Sequence, residues 1–158
     1  MSLPSRPRPL VLVTGASAGI GAALARIYAA EGWDLILTAR REAPLQALAD
    51  ELARLGAAST ILTDDLADPA APRRLFDAIQ SKGLNVDGLI NNAGFSRTAG
   101  FLNTDPAAHR AMIQVMLAAP VELARLFAPG MVERGFGRIL NVASLAGQMP
   151  ATGGDTLY

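Results

Sequence analysis

Cysteine is absent from the 158 residues, which excludes both a disulfide framework and a thiolate metal site. Charge is scarce: Asp, Glu, Lys and Arg make up 18% of the chain, below the roughly 25% usual for soluble domains. Basic and acidic residues balance at 14 each, so no general field favours nucleic acid or an anionic membrane. No apolar run in the sequence approaches the ~18 residues of a membrane span. The prolines of MSLPSRPRPL fall where a signal peptide carries its apolar segment. The expectation is a cytoplasmic protein with neither membrane nor nucleic acid as a partner. Histidine occurs once, at His109; nothing else converges on it, so it reads as a solvated helix residue and no metal site is expected.

What the chain does have is apolar mass. Hydrophobic residues make up 51%, which argues against disorder and gives enough core for one domain. It also points to surface that awaits a cover, from more chain or from a partner subunit. Residues 1–8 read as a flexible N-terminal arm, because alternating Pro and Arg neither pack nor pair. From Pro9 the pattern turns regular. PLVLVTG suits a strand buried on both faces. Ile20, Leu24 and Ile27 form one apolar stripe of a first helix, and WDLILTAR is a second strand. Leu45, Leu48, Leu52 and Leu55 mark a second amphipathic helix ending at Gly56. STILTDD reads as a third strand, PAAPRRLFDAIQSKG as a helix with prolines in its first turn, and VDGLINNAG as a fourth strand. TDPAAHRAMIQVMLAAPVELARLFAPGM is a long helix capped by Thr or Asp, and GRILNVAS is a fifth strand. Strand and helix alternating five times imply parallel strands joined by right-handed crossovers, hence a single open α/β sheet with helices on both faces over 9–158.

Thr14-Gly15-Ala16-Ser17-Ala18-Gly19-Ile20-Gly21 joins the first strand to the first helix. Its glycines let the backbone turn tightly and approach a bulky anion without Cβ clashes. The helix start then offers free N–H groups and partial positive charge to a pyrophosphate. A turn serving only helix–strand packing is the alternative, but the position after the first buried strand favours cofactor binding.

The spacing TGxxxGxG, with Asn91-Asn92-Ala93-Gly94 after strand four and Ser144 just beyond strand five, resembles a short-chain dehydrogenase/reductase from Pro9 to Tyr158. The resemblance implies a Rossmann-type doubly wound parallel sheet, incomplete here at its C-terminal side. It also implies an oxidoreductase that moves hydride between a nicotinamide cofactor and a carbonyl or secondary alcohol. Gly15, Ser17, Gly19, Ile20 and Gly21 would hold the cofactor's phosphates. Asp65 and Leu66 would meet the adenine, an Asx turn being the alternative for Asp65. Asn92, Ala93 and Gly94 would line the site, with Asn91 structural.

Strand two ends in Thr38-Ala39-Arg40-Arg41 rather than in an acid. An acid would repel the 2′-phosphate of NADP, whereas a guanidinium can bind it through a planar fork of donors. NADP is therefore expected over NAD, with Arg40 as main contact and Arg41 in support; a solvated pair at a helix start is the alternative.

By the same resemblance Ser144 holds the carbonyl oxygen and Tyr158 is the general acid/base. A free phenol titrates near ~10, and the family lowers that with a lysine four residues beyond the tyrosine. The sequence stops before that position, so the 158 residues alone are expected to be inactive. Two further departures stand out. Ser144 and Tyr158 lie 14 positions apart, one more than is usual in the family. Met116 stands where the family has an asparagine whose carbonyl holds a relay water. Pro120, which has no N–H, cannot bond the carbonyl of Met116, so that carbonyl is expected to be open to water; a proline kink in a helix with Met116 as core is the alternative. The resemblance also implies a homo-oligomer through the long helix, 105–133. The competing readings are a non-catalytic NADP-binding module and a structural pseudo-enzyme paired with a larger relative.

Overall fold

The computed structural model describes residues 8–96 and 99–147. Five parallel strands form one sheet in the order β3-β2-β1-β4-β5: β1 Leu10–Thr14, β2 Asp34–Ala39, β3 Ser59–Thr63, β4 Gly88–Asn91 and β5 Arg138–Asn141. Helices α1 (Gly19–Ala30), α2 (Glu42–Arg54) and α3 (Ala71–Ser81) alternate with the strands, and a long helix, Pro106–Glu133, joins β4 to β5. The chain first builds outward from β1 to β3, then returns to place β4 on the other side of β1. That reversal opens a crevice at the C-terminal ends of β1 and β4, the place where open parallel sheets bind ligands. The doubly wound α/β fold is as the sequence implies.

Side chains that alternate along the strands feed two separate cores, as a sheet covered on both faces requires. Val11, Val13, Leu35, Leu37 and Ile90 pack with α1 and α2. Leu12, Ile36 and Leu89 pack with α3 and the long helix.

Two expectations about helix faces are corrected. In α1 the buried residues are Gly21, Ala22, Ala25 and Ala29, while Ile20 and Ile27 are 60% and 57% exposed. Small residues let the helix sit close on the sheet, and the larger isoleucines are left outside. In α2, Leu45, Leu48 and Leu52 are buried, but Leu55 falls one residue past the helix and is exposed. Arg8, the first described residue, pairs with Asp34 at 3.1 Å and donates to the Trp33 carbonyl.

The long helix is capped by Asp105, whose carboxylate accepts the Ala107 N–H at 2.8 Å. At Gln114–Ala118 it widens into a π turn, closed by the Ala119 N–H on the Gln114 carbonyl. Pro120 follows directly, so the missing donor is accommodated by a change of hydrogen-bond register. Contrary to the expectation that nothing reaches spanning length, this helix is long and apolar enough to cross a membrane by length and composition. Its packing gives the stripe another reason: Met112, Val115, Ala119, Leu123, Phe127 and Met131 recur at steps of 3 and 4 and are buried on the domain. Its other face leaves Ile113, Leu117 and Val121 exposed, as are Ile139 and Leu140 on the edge strand β5.

Candidate functional site

The site grows from Thr14, the last residue of β1. Its hydroxyl is buried, donates to the Ile90 carbonyl at 3.1 Å, and accepts the N–H groups of Asn92 and Ala93 at 2.9 and 3.0 Å. Asn92 returns the link, its side-chain amide donating to the carbonyls of Thr14 and Gly15. The glycine turn and the NNAG segment are thereby one unit. Gly15 holds φ +66°, a conformation that favours glycine, and a Cβ there would lie 2.8 Å from the Ala93 Cα. A Cβ on Gly21 would run into the Asn92 amide and the Gly15 carbonyl.

The helix that follows has no side-chain cap and no acid in its first turn. Its first N–H groups are therefore available to an anion at the mouth of the crevice.

A cavity of about 410 Å³ lies at this point. Gly15, Ser17 and Ile20 line it from the first turn, Arg40 and Arg41 from the end of β2, Asp65 and Leu66 from the loop after β3, and Asn92, Ala93 and Gly94 from the NNAG segment. Most of the residues singled out from the sequence thus converge. Gly19 and Gly21 do not line it; Gly21 acts from behind, by letting Asn92 close on the turn. Arg40 and Arg41 are exposed and hold no ion pair among the described residues. Asp65 uses one carboxylate oxygen to accept the Ala67 N–H at 3.0 Å, an Asx turn.

A second cavity continues from the first, sharing Ile20 and Asn92 to Phe95 and reaching Met116, Pro120, Asn141 and Ser144. Ser144 sits at its far side, where its Oγ accepts the Ala146 N–H at 3.2 Å. Asn91 is buried beneath, donating to Asn141 Oδ1 at 2.8 Å and toward the Pro120 carbonyl at 3.5 Å. Its own Oδ1 has no partner among the described residues. Tyr158 lies outside the described residues.

Sequence reasoning missed Val115, which reaches the first cavity from the π turn; a regular helical wheel carries no signal for a register change. It also missed Asp64, which lines the cavity beside the arginines and is bound by Arg74 on α3. Arg74 also binds Asp68 at 2.6 Å. The Ala70 N–H and then Arg74 hold the Asp68 carboxyl below its ordinary range, and the two aspartates raise the Arg74 guanidinium further above its own. Among the described residues no group of three or more His, Asp or Glu side chains gathers in a way that could hold a metal.

The arrangement fits a dinucleotide: an uncapped helix start for the diphosphate, a glycine floor without room for a Cβ, and at one end two guanidiniums that are unpaired among the described residues. Comparison with known proteins agrees. The model of the short chain dehydrogenase family matches residues 9–156. The NADP-dependent 3-hydroxy acid dehydrogenase YdfG of Escherichia coli is 37% identical, with 92% of this chain and 58% of that protein covered. Sulfoacetaldehyde reductase 2 of Chromohalobacter salexigens is 36% identical, with 91% and 58% covered. A metagenomic short-chain oxidoreductase solved in complex with NADP superposes with a TM-score of 0.86 at 36% identity, over 92% of this chain and 66% of that one. A short-chain dehydrogenase from Sphingobium yanoikuyae in complex with NADPH gives 0.84 at 37%, over 92% and 57%. The chain thus spans somewhat more than half the length of the curated relatives it matches. With the sheet, the crevice and these matches in agreement along nearly all of its length, the chain belongs to the short-chain dehydrogenase family.

Proposed function

We propose that the protein to which these residues belong is an NADP(H)-dependent oxidoreductase acting on a carbonyl or secondary alcohol. The observation that carries the reading is the pair Arg40 and Arg41, unpaired among the described residues, in the same cavity as the uncapped start of α1. Two guanidiniums so placed are suited to a 2′-phosphate. Relatives and neighbours whose names specify NADP or NADPH support the choice.

In this reading the first N–H groups of α1 and the Gly15 turn hold the diphosphate, Arg40 the 2′-phosphate, and Leu66 packs at the adenine. The bound cofactor supplies or accepts the hydride. Ser144, at the far side of the continuous second cavity, hydrogen-bonds the carbonyl oxygen and so fixes the carbon for attack. Tyr158 gives that oxygen its proton. The carbonyl of Met116, to which Pro120 cannot donate, holds the water that relays protons from solvent. The apolar outer face of the long helix, Ile113, Leu117 and Val121, is the surface through which subunits associate.

Carbonyl-dependent loss of NADPH absorbance, measured on the whole protein with a panel of ketones and aldehydes, tests the activity. Ser144→Ala is expected to lower kcat by at least about a hundredfold, the scale of losing one oxyanion donor. Arg40→Ala is expected to raise KM for NADPH about ten- to a hundredfold and leave NADH nearly unchanged, as losing a hydrogen-bonded charge pair implies. No turnover on any carbonyl, or an Arg40→Ala variant with unaltered NADPH dependence, contradicts the proposal.

A further inference from the structure

The loop after β3 presents a problem for any cofactor carrying a 2′-phosphate. Asp64 lines the same cavity as Arg40 and Arg41. β2 and β3 pair in parallel with Ala39 opposite Thr63, so Arg40 and Asp64 leave the sheet side by side. The Asp64 N–H still donates to the Ala39 carbonyl, at 3.3 Å. Neighbouring strands run about 4.8 Å apart, well within reach of an arginine side chain. An open carboxylate at Asp64 would either pair with Arg40 or place negative charge beside the anion that Arg40 holds.

It does not stand open. Arg74, from the first turns of α3, donates through Nη2 to Asp64 Oδ1 at 2.6 Å and through Nε to Oδ2 at 3.2 Å. Both Asp64 oxygens are thereby engaged, and Oδ1 also accepts the Asp65 N–H at 2.8 Å. The remaining arm, Nη1, binds Asp68 Oδ2 at 2.6 Å, which holds the guanidinium in place. The Asp64 side chain is 14% exposed, so this pair is less screened than one in open solvent. Arg74 does not itself line the cavity.

We propose that Arg74 is a positioning residue that sets cofactor specificity: by engaging Asp64 it leaves Arg40 free and the adenosine end of the cavity open to a 2′-phosphate. This rests on the NADP(H) reading of the site. The three side chains Asp64, Asp68 and Arg74 carry one net negative charge, and removing Arg74 doubles it. A 2′-phosphate bears close to two negative charges at neutral pH, whereas the 2′-hydroxyl of NADH bears none. The change therefore acts on one cofactor and almost spares the other.

The test titrates NADPH and NADH by fluorescence into the wild-type chain and the variants Arg74→Ala, Arg74→Lys and Arg74→Ala/Asp64→Asn, with the thermal midpoint of each variant recorded. Arg74→Ala is expected to weaken NADPH about five- to tenfold, the scale of one added charge at short range in water. NADH should change less than about twofold, and the NADPH loss should shrink at high ionic strength. Arg74→Lys should keep part of the preference, and removing the Asp64 charge in the double variant should restore it, which a merely structural brace would not do. Equal losses for both dinucleotides, an unchanged ratio, or no recovery in the double variant overturns the proposal while leaving the cofactor reading intact. A wild-type chain with no preference for NADPH overturns the cofactor reading and this proposal with it.

Discussion

A methyl group added at Gly21 has to displace the Asn92 amide and the Gly15 carbonyl, and those two groups are hydrogen-bonded to each other. Gly21→Ala should therefore push apart the turn and the NNAG segment, costing about 1–3 kcal/mol of stability, as overpacking does, and weakening NADPH binding. Gly19 offers the contrast. It holds φ +57°, and a Cβ placed there would meet no neighbour within 4 Å, so Gly19→Ala carries only left-handed strain, about 1–2 kcal/mol. Denaturant midpoints and NADPH titrations on both variants separate the effects: Gly21→Ala should lose cofactor affinity out of proportion to stability. Equal behaviour of the two would contradict the role given to Gly21. The glycines were legible because their spacing after a buried strand has few other uses. The Thr14 hydroxyl was not, since its partners Ile90, Asn92 and Ala93 lie 76 to 79 positions away and no local pattern announces them. Arg74 was hidden for the same reason: on a helix it reads as one more exposed charge.

At the scale of elements, the periodicities marked where helices run better than which way they face. The isoleucines of α1 repeat at helical steps, yet the alanine face is the one buried, because contact with the sheet at short range admits only small side chains. Ala25 is fully buried, so Ala25→Leu should destabilise by about 1–3 kcal/mol through overpacking. Ile27→Thr, on the exposed side, should stay within about 0.5 kcal/mol. Urea unfolding of both variants checks this, and a more costly Ile27→Thr would mean that the outer face of α1 is covered in solution. Pro120 shows the other limit. The sequence identifies a missing N–H, but whether a helix answers with a kink or a π turn depends on what it packs against. Here the π turn carries Val115 into the cofactor cavity, and a Cβ added at Gly94 would lie 3.5 Å from the Met116 sulfur.

For the whole molecule, topology was the most legible feature. Alternating elements and the right-handed crossover rule leave few arrangements, and the order β3-β2-β1-β4-β5 puts the reversal beside the glycine turn. That one fact gathers residues from separate loops into a single crevice. The exposed edge strand β5 and the apolar outer face of the long helix fit a chain spanning 58% of its curated relatives' length. Such surface is what further chain or a second subunit would cover. Described residues from four separate loops line the first cavity, and dinucleotide binding is measured on the whole protein. Side-by-side equilibrium titration with NADPH and NADH at low ionic strength is the most direct test of the central claim. The account predicts saturable binding of both, with NADPH tighter by about tenfold or more, the contribution of charge-assisted bonds to one phosphate. Equal affinities, tighter NADH, or no binding of either would contradict it.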